Sequence, residues 1–275
     1  MARKNKCSVL MCVYAGDEAE YFTQAAESML KQTMGLDDLV IVVDGPIGRE
    51  LDAAIKKLER ENRKIVQVVR LAKNVGIGAA NNEGLKHCKH DLIAKMDADD
   101  IAVPERLEWQ LSEFEKDPEL VLLGGQLAEF DGDLTNVVSH RWVPTDQAGI
   151  RKFAKRRSPF NNQTVMYRKE VVLAAGGYPS LNRAEDYYLF ARIIKDGRKV
   201  RNLGQVLVYF RLDEKALLRR KTWEHTKETI LARNEIRRLG LANYWDLFLV
   251  AMAQMLIFIM PRKFTKYFYR RLRQQ

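Results

Sequence analysis

Met96-Asp97-Ala98-Asp99-Asp100 is the stretch that decides how this chain is read. Ahead of it runs Asp91-Leu92-Ile93-Ala94-Lys95, short, mostly apolar and of strand length. Behind it comes Ile101-Ala102-Val103-Pro104-Glu105-Arg106, read as a loop handing over to a helix with Pro104 in its first turn. The carboxylates of Asp97, Asp99 and Asp100 therefore gather at the C-terminal end of a strand. That is where open α/β sheets bind ligands. Carboxylates this close repel one another, and a divalent cation relieves the conflict; Mg2+ takes one or two carboxylates together with substrate phosphates. The same acids also suit a plain solvated turn before a helix, where Asp is favoured.

The chain on the N-terminal side separates these readings. Ser8–Val13 is a continuous apolar run, a buried strand, and Tyr14-Ala15-Gly16-Asp17 is a polar break at its end. A helix is predicted from about Glu20 to Gln32, with Phe22, Ala26 and Met29 on one face. Leu39–Val43 is the second buried strand, ending in Asp44-Gly45-Pro46. Leu51–Leu58 reads as helix and Ile65–Val69 as the third strand. The segment from Asn74 to Leu85 opens with Gly76 and Gly78 and continues as a helix to about Cys88. Its Gly-x-Gly fits either a phosphate loop or close packing of a helix against a sheet. Alternating strands and helices imply a parallel sheet with right-handed crossovers. Tyr14, Asp44 and Asp97–Asp100 then share one edge, which favours a ligand site over scattered surface charge.

The second half changes character. Glu105–Lys116 reads as helix, and Val121-Leu122-Leu123 with Val137-Val138 flank a polar turn as a hairpin. Residues 151–157 form a basic helix end, Thr164–Tyr167 a strand, and Gly176-Gly177-Tyr178 a turn. A helix is expected from Asn182 to Asp196, so Glu185 and Asp186 fall in its first turn, where the helix dipole keeps a carboxylate ionised. That suits a catalytic base and equally an ordinary N-terminal acid. Val206–Leu212 is the last strand, followed by a basic helix over about Glu214–Leu239 and an apolar stretch over Leu247–Met260 that Pro261 stops.

Composition bounds the class. The chain has 275 residues, 47% hydrophobic and 30% charged, which excludes disorder and fits a large α/β domain over 1–213 with a helical region over 214–275. Formal net charge is +10, and residues 261–275 hold six basic residues and no acid. Such a tail points to anionic lipid or nucleic acid, or is simply solvated. Cys7, Cys12 and Cys88 have no motif spacing, which argues for a reducing compartment and against disulfides or zinc. The basic N-terminus lacks a signal-peptide core, and no apolar run reaches the roughly 18 residues of a membrane span.

Ser8–Tyr14, Ala26–Thr33, Val42–Gly45, the Asn74-x-Gly76 and Asn82-x-Gly84 pair, Met96–Asp100, Gly176-Gly177-Tyr178 and Glu185-Asp186, in that order, resemble family 2 glycosyltransferases of the GT-A fold. The resemblance covers nearly the whole chain. Val43–Pro46 and Phe160-Asn161-x-x-Thr164-Val165-Met166 are similar to bacterial transferases of the amylovoran and O-antigen type. It implies a Rossmann-like, mostly parallel central sheet with flanking helices. It also implies that Tyr14 and Asp44 line the uracil and ribose site of a nucleotide-sugar, with Asn74 and Asn82 beside it. Asp97 would face the ribose, and Asp99 a Mn2+ or Mg2+ on the diphosphate, with Asp100 adjoining. Asp186 would be the general base and Glu185 its neighbour. Arg219, Arg220, Lys221 and Trp223 would match a late basic element near the diphosphate. Much of the family has two acids where this chain has Val43-Asp44, so the nucleobase contact rests on Asp44 alone.

The implied activity is inverting transfer of a hexose from UDP-galactose or UDP-glucose to a saccharide, or to one linked to undecaprenyl diphosphate, in surface polysaccharide synthesis. A nucleotidyltransferase is the nearest alternative, but its basic loop after the first strand is replaced here by Tyr14-Ala15-Gly16-Asp17. A nucleic-acid-binding protein fits the basic C-terminus and not the acids at the strand ends, so no nucleic-acid partner is expected. Residues 244–275 are expected to hold the enzyme on the cytoplasmic face of an anionic plasma membrane without crossing it, or else to close the core.

Overall fold

The apolar run near the N-terminus becomes β1 (Cys7–Val13) in the computed structural model, which describes residues 6–179, 184–212 and 222–259. In chain order follow α1 (Ala19–Leu30), β2 (Leu39–Val43), α2 (Arg49–Glu61), β3 (Val66–Arg70), α3 (Ile77–His87) and β4 (Leu92–Asp97). Then come β5 (Ile101–Ala102), α4 (Arg106–Lys116), β6 (Leu120–Phe130), β7 (Val137–Arg141), α5 (Gln147–Phe153) and β8 (Met166–Arg168). The described chain closes with α6 (Lys169–Ala174), α7 (Glu185–Lys195), β9 (Lys199–Arg211), α8 (Trp223–Arg238) and α9 (Tyr244–Ile259).

One mixed sheet runs in the order β3-β2-β1-β4-β8-β6-β9-β5, with β7 paired to β6. The first four strands are parallel, as their alternation with helices predicts. β8 then enters antiparallel to β4 and β6, and β9 lies parallel to β6. β1 is buried on both faces, because helices cover both. Val9, Met11 and Val13 belong to one half of the core with residues of α1, α2 and α4, while Leu10 and Cys12 belong to the other with residues of α3 and α7. Cys7, Cys12 and Cys88 are all buried, and burial pushes their thiols up to about 12, 11 and 12.

Three readings change. Ile101-Ala102 is not loop but β5, because it pairs antiparallel with Tyr209 and Val208 at the sheet's far edge. The last long strand starts at Lys199 rather than Val206, since β6 offers it a parallel partner along most of its length, with irregular register around Gly124–Leu127. The short helix α6 has too little periodicity to announce itself.

The glycines of α3 divide the two uses open to them. A Cβ on Gly84 would lie 2.3 Å from Leu10 Cδ1 and 2.7 Å from Val42 Cγ2, so that glycine lets the helix sit on the sheet. Gly76 has φ +86° in open space, and it turns the chain into α3.

The C-terminal region begins inside the core. Ile236 and Leu241 are buried among Tyr187, Phe190 and Ile194 of α7, so α8 closes the face that α7 presents. α9 pairs with α8, and its first turn is fixed by Asp246, whose carboxylate accepts from Arg156 Nε at 2.7 Å. No described helix is long and apolar enough to cross a membrane.

Candidate active site

Strand register brings the expected acids together. Cys12 pairs with Asp97, and Val13 pairs with Val43, so Tyr14, Asp44 and Asp97 emerge side by side at the C-terminal edge. Tyr14 is 44% exposed, its ring lying over Gly16, where a Cβ would stand 2.5 Å from the ring and push it aside. Asp44 is buried and its carboxylate is already engaged. Oδ1 accepts from Val75 N at 2.7 Å and Oδ2 from Gly76 N at 3.1 Å. Asn74 Nδ2 donates to the Asp44 carbonyl at 3.2 Å, and a Cβ on Gly45 would stand 2.4 Å from Asn74 N. Asp44 and Asn74 are thus the two halves of a locked loop pair at this edge.

Asn82, expected beside the donor, has its amide engaged across the fold. Its Nδ2 donates to the Tyr178 carbonyl and its Oδ1 accepts from Tyr178 N, both at 2.8 Å. The amide is spent on joining α3 to the Gly176-Gly177-Tyr178 turn, so it supports the site from behind. Gly78 serves the same junction: a Cβ there would lie 2.8 Å from the Pro179 carbonyl and 3.7 Å from Glu185 Cβ.

Asp97 is half-buried, Asp99 exposed and Asp100 fully buried. Burial raises the Asp97 carboxyl, and Lys95 and Arg106 oppose that rise. Burial, then repulsion from Asp99 and Asp97, drives Asp100 well above the usual range. Its Oδ1 accepts from Arg211 N at 3.0 Å and the Gln163 side chain also lowers the carboxyl, while Oδ2 is buried without a hydrogen bond of good geometry. Asp17, read from sequence only as a polar break, joins the group. Burial pushes it up to about 7 against the Tyr14 N–H, and Asp99 and Asp97 add to the rise. Among the described residues no three His, Cys, Asp or Glu side chains converge on a metal position. The set instead suits a Mn2+ or Mg2+ held by one or two carboxylates and completed by phosphate oxygens. The poorly satisfied Asp100 oxygen and the raised Asp17 carboxyl mark uncompensated negative potential at this edge.

Sequence reasoning missed the cations beneath. Lys95 is fully buried, its Nζ donating to Asn81 Oδ1 at 2.8 Å. Arg106, also fully buried, donates to the Lys95 carbonyl at 2.6 Å and to Gln110 Oε1 at 3.1 Å. A lysine inside the apolar run Leu92–Met96 was the available signal. Arg211 was missed too. Its Nε donates to the Asp99 carbonyl at 3.1 Å, and its guanidinium lies 4.0 Å from the Tyr21 ring centre and 4.7 Å from that of Phe130. The Asp99–Asp100 turn is thereby tied to the end of β9.

Glu185 and Asp186 open α7 behind Ala184, the only described non-glycine residue at positive φ (59°). Burial first, then Asp186, pushes Glu185 up to about 7, with Asp97 adding. Asp186 is raised by burial and by Asp97, against the Tyr187 N–H, Arg141 and Arg233. Asp97 thus raises both acids of α7, and the Gly78–Glu185 approach sets the start of α7 beside the start of α3. Arg219, Arg220 and Lys221 lie outside the described residues. Trp223 starts α8 and packs on α9, its ring centre 5.7 Å from that of Phe258.

The family profile described as Glycosyl transferase family 2 matches residues 8–175. The chain belongs to that family. The match includes Asp44 and Asp97–Asp100 and ends before Glu185 and Asp186, so the base assignment rests on the resemblance and geometry above. The amylovoran biosynthesis glycosyltransferase AmsE of Erwinia amylovora is 37% identical over 86% of this chain and 85% of its own. An Escherichia coli relative is named UDP-Gal:alpha-D-GlcNAc-diphosphoundecaprenol beta-1,3-galactosyltransferase. It is 30% identical over 97% of this chain and 96% of its own. Among solved structures, S. aureus TarS 1-349 in complex with UDP-GlcNAc superposes with TM-score 0.67 at 18% identity, over 92% of this chain and 73% of that one. Mannosyltransferase PcManGT from Pyrobaculum calidifontis, in complex with GDP-Man and Mn2+, gives TM-score 0.63 at 14% identity, over 97% and 80%. The GT-A fold is thus the observed fold, and family membership sets aside the nucleotidyltransferase alternative for this family 2 enzyme.

Proposed function

We propose that this transferase moves a hexose, from UDP-galactose or UDP-glucose, to a hydroxyl of a saccharide or undecaprenyl-diphosphate-linked saccharide. The reaction inverts the anomeric centre and serves surface polysaccharide synthesis, of the O-antigen, lipopolysaccharide or exopolysaccharide kind, at the cytoplasmic membrane face. The observation that carries the reading is the approach of the first turn of α7 to the start of α3: a Cβ on Gly78 would lie 3.7 Å from Glu185 Cβ, two residues beyond the Gly76 N–H that holds Asp44. The near full-length match to the E. coli galactosyltransferase supports the donor and acceptor classes.

In this reading the Tyr14 ring and the Asp44–Asn74 floor seat the nucleoside. Asp97 faces the ribose, with Lys95 and Arg106 offsetting its charge from below. Asp99, exposed on a turn that Arg211 steadies, reaches the diphosphate. A bound Mn2+ or Mg2+ supplies Lewis-acid stabilisation of the leaving group. Asp186 accepts the acceptor hydroxyl's proton as its oxygen attacks the anomeric carbon and the nucleoside diphosphate departs.

The test supplies UDP-galactose or UDP-glucose and a GlcNAc-diphospho-lipid acceptor, with Mn2+ or with a chelator, and reads the product's anomeric configuration by NMR. A β-linked product from the α-donor, formed only with metal, is expected. A retained configuration, or transfer from neither donor, would overturn the reading.

A further inference from the structure

We infer that α9 and the basic end of α5 form one docking surface for an anionic lipid bilayer, with α9 lying in the interface plane. Tyr244, Trp245, Phe248, Met252, Leu256 and Ile259 are all exposed. At about 100° per residue they fall within roughly 120° of one another, a single face. Trp245 is 62%, Leu256 60% and Ile259 71% exposed, and no charged side chain interrupts the face. An apolar stripe of this kind on a helix end to end needs a cover. Across the rest of the helix, Asp246 points into the body and pairs with Arg156, so the stripe faces away from the core.

Charge selects the cover. Arg151, Lys152, Lys155, Arg156 and Arg157 are exposed at and just after α5, and Arg156 brings this cluster against the first turn of α9. Arg237 stacks over the Tyr244 ring at 4.2 Å. Aromatic rings with cations at one end of an apolar face match the headgroup zone of an anionic leaflet. The sequence after α9 adds six basic residues and no acid. The 16 described residues of α9 span about 24 Å, short of the roughly 30 Å hydrocarbon core, and Pro261 follows in the sequence, which suits a helix lying in the interface. α8 carries this surface directly against α7, where Arg233 covers the Tyr187 ring at 4.2 Å. Docking would hold the Asp186 helix beside the leaflet in which a lipid-diphosphate acceptor resides; this last consequence rests on the acceptor reading above.

Flotation of the full chain with phosphatidylcholine vesicles, with and without phosphatidylglycerol, tests the surface. The chain should float with the anionic vesicles and less so at high salt. Phe248→Glu with Leu256→Glu should abolish flotation. Lys152→Gln with Lys155→Gln should weaken it by about fivefold per cation removed. Both variants should keep the parent's UDP-sugar affinity and melting temperature, which excludes misfolding. Parent-like flotation of both variants, or none by the parent, overturns the inference. So does a solution dimer that the Phe248/Leu256 variant dissolves, or flotation that only removal of residues 260–275 abolishes. A chain that floats yet glycosylates no lipid-diphosphate leaves the surface standing and removes the acceptor reading. Transfer in detergent by a chain that never floats does the reverse.

Discussion

The proposed mechanism gives Asp99 and Asp186 different duties, and their surroundings let each be tested alone. Asp99 is exposed on its turn, so Asp99→Ala should leave the fold intact. Metal-dependent UDP binding and transfer should vanish together, read by calorimetric titration with and without Mn2+; normal turnover would sink the metal assignment. Asp186→Asn keeps the shape and removes the base. Donor affinity should hold while turnover falls by roughly 10² or more. Lost donor binding with turnover intact at saturation would make Asp186 a binding residue instead. The positions of both acids were legible in the sequence, because strand ends and helix starts are local patterns; their proposed roles come from the family resemblance. Asp17, Arg106 and Arg211 were not: each acts through a neighbour about 80 or more residues away, or by burial beneath a strand, which spacing does not encode, whereas Lys95 left one sign, a lysine within an apolar run.

At the scale of elements, the start of α7 joins stability to pH. Glu185 is pushed from its ordinary 4.5 up to about 7, so the folded state holds that proton more tightly than the unfolded chain. The resulting stabilisation is complete below about pH 4.5 and is lost as pH rises through about 7. Urea midpoints of the metal-free enzyme should therefore decline across that window, and Glu185→Gln should flatten the decline. Parallel curves for parent and variant would show that the pair is not buried in solution. The parallel half of the sheet was legible from its apolar runs and intervening helices. β5 and the full length of β9 were not, since a strand that borrows its order from a distant partner needs no strong pattern of its own.

At the scale of the molecule, composition alone divides the chain near residue 213, and burial does not respect that division. Ile236 and Leu241 fill the core against α7. A chain ending at Leu212 should lose about 1.5–3 kcal/mol for each of those two side chains, and more through the bared face of α7. Its urea midpoint against that of the full chain measures the loss. Equal midpoints would show residues after 213 to be an appendage. This same burial explains why the C-terminal stretch read two ways from sequence: α8 closes the core, and α9 keeps an outward apolar stripe.

The three cysteines bear on how this enzyme can be watched at work. Reaction with maleimides and oxidation by peroxide both run through the thiolate. Cys7, Cys12 and Cys88 are buried with thiols pushed up to about 11 or 12, and they are all the cysteines the sequence holds. The native chain should therefore react little with thiol reagents near neutral pH. A cysteine introduced at Met252 would be the one that takes a dye, with no background substitution needed, and its fluorescence would follow the outward stripe of α9 from water into whatever covers it.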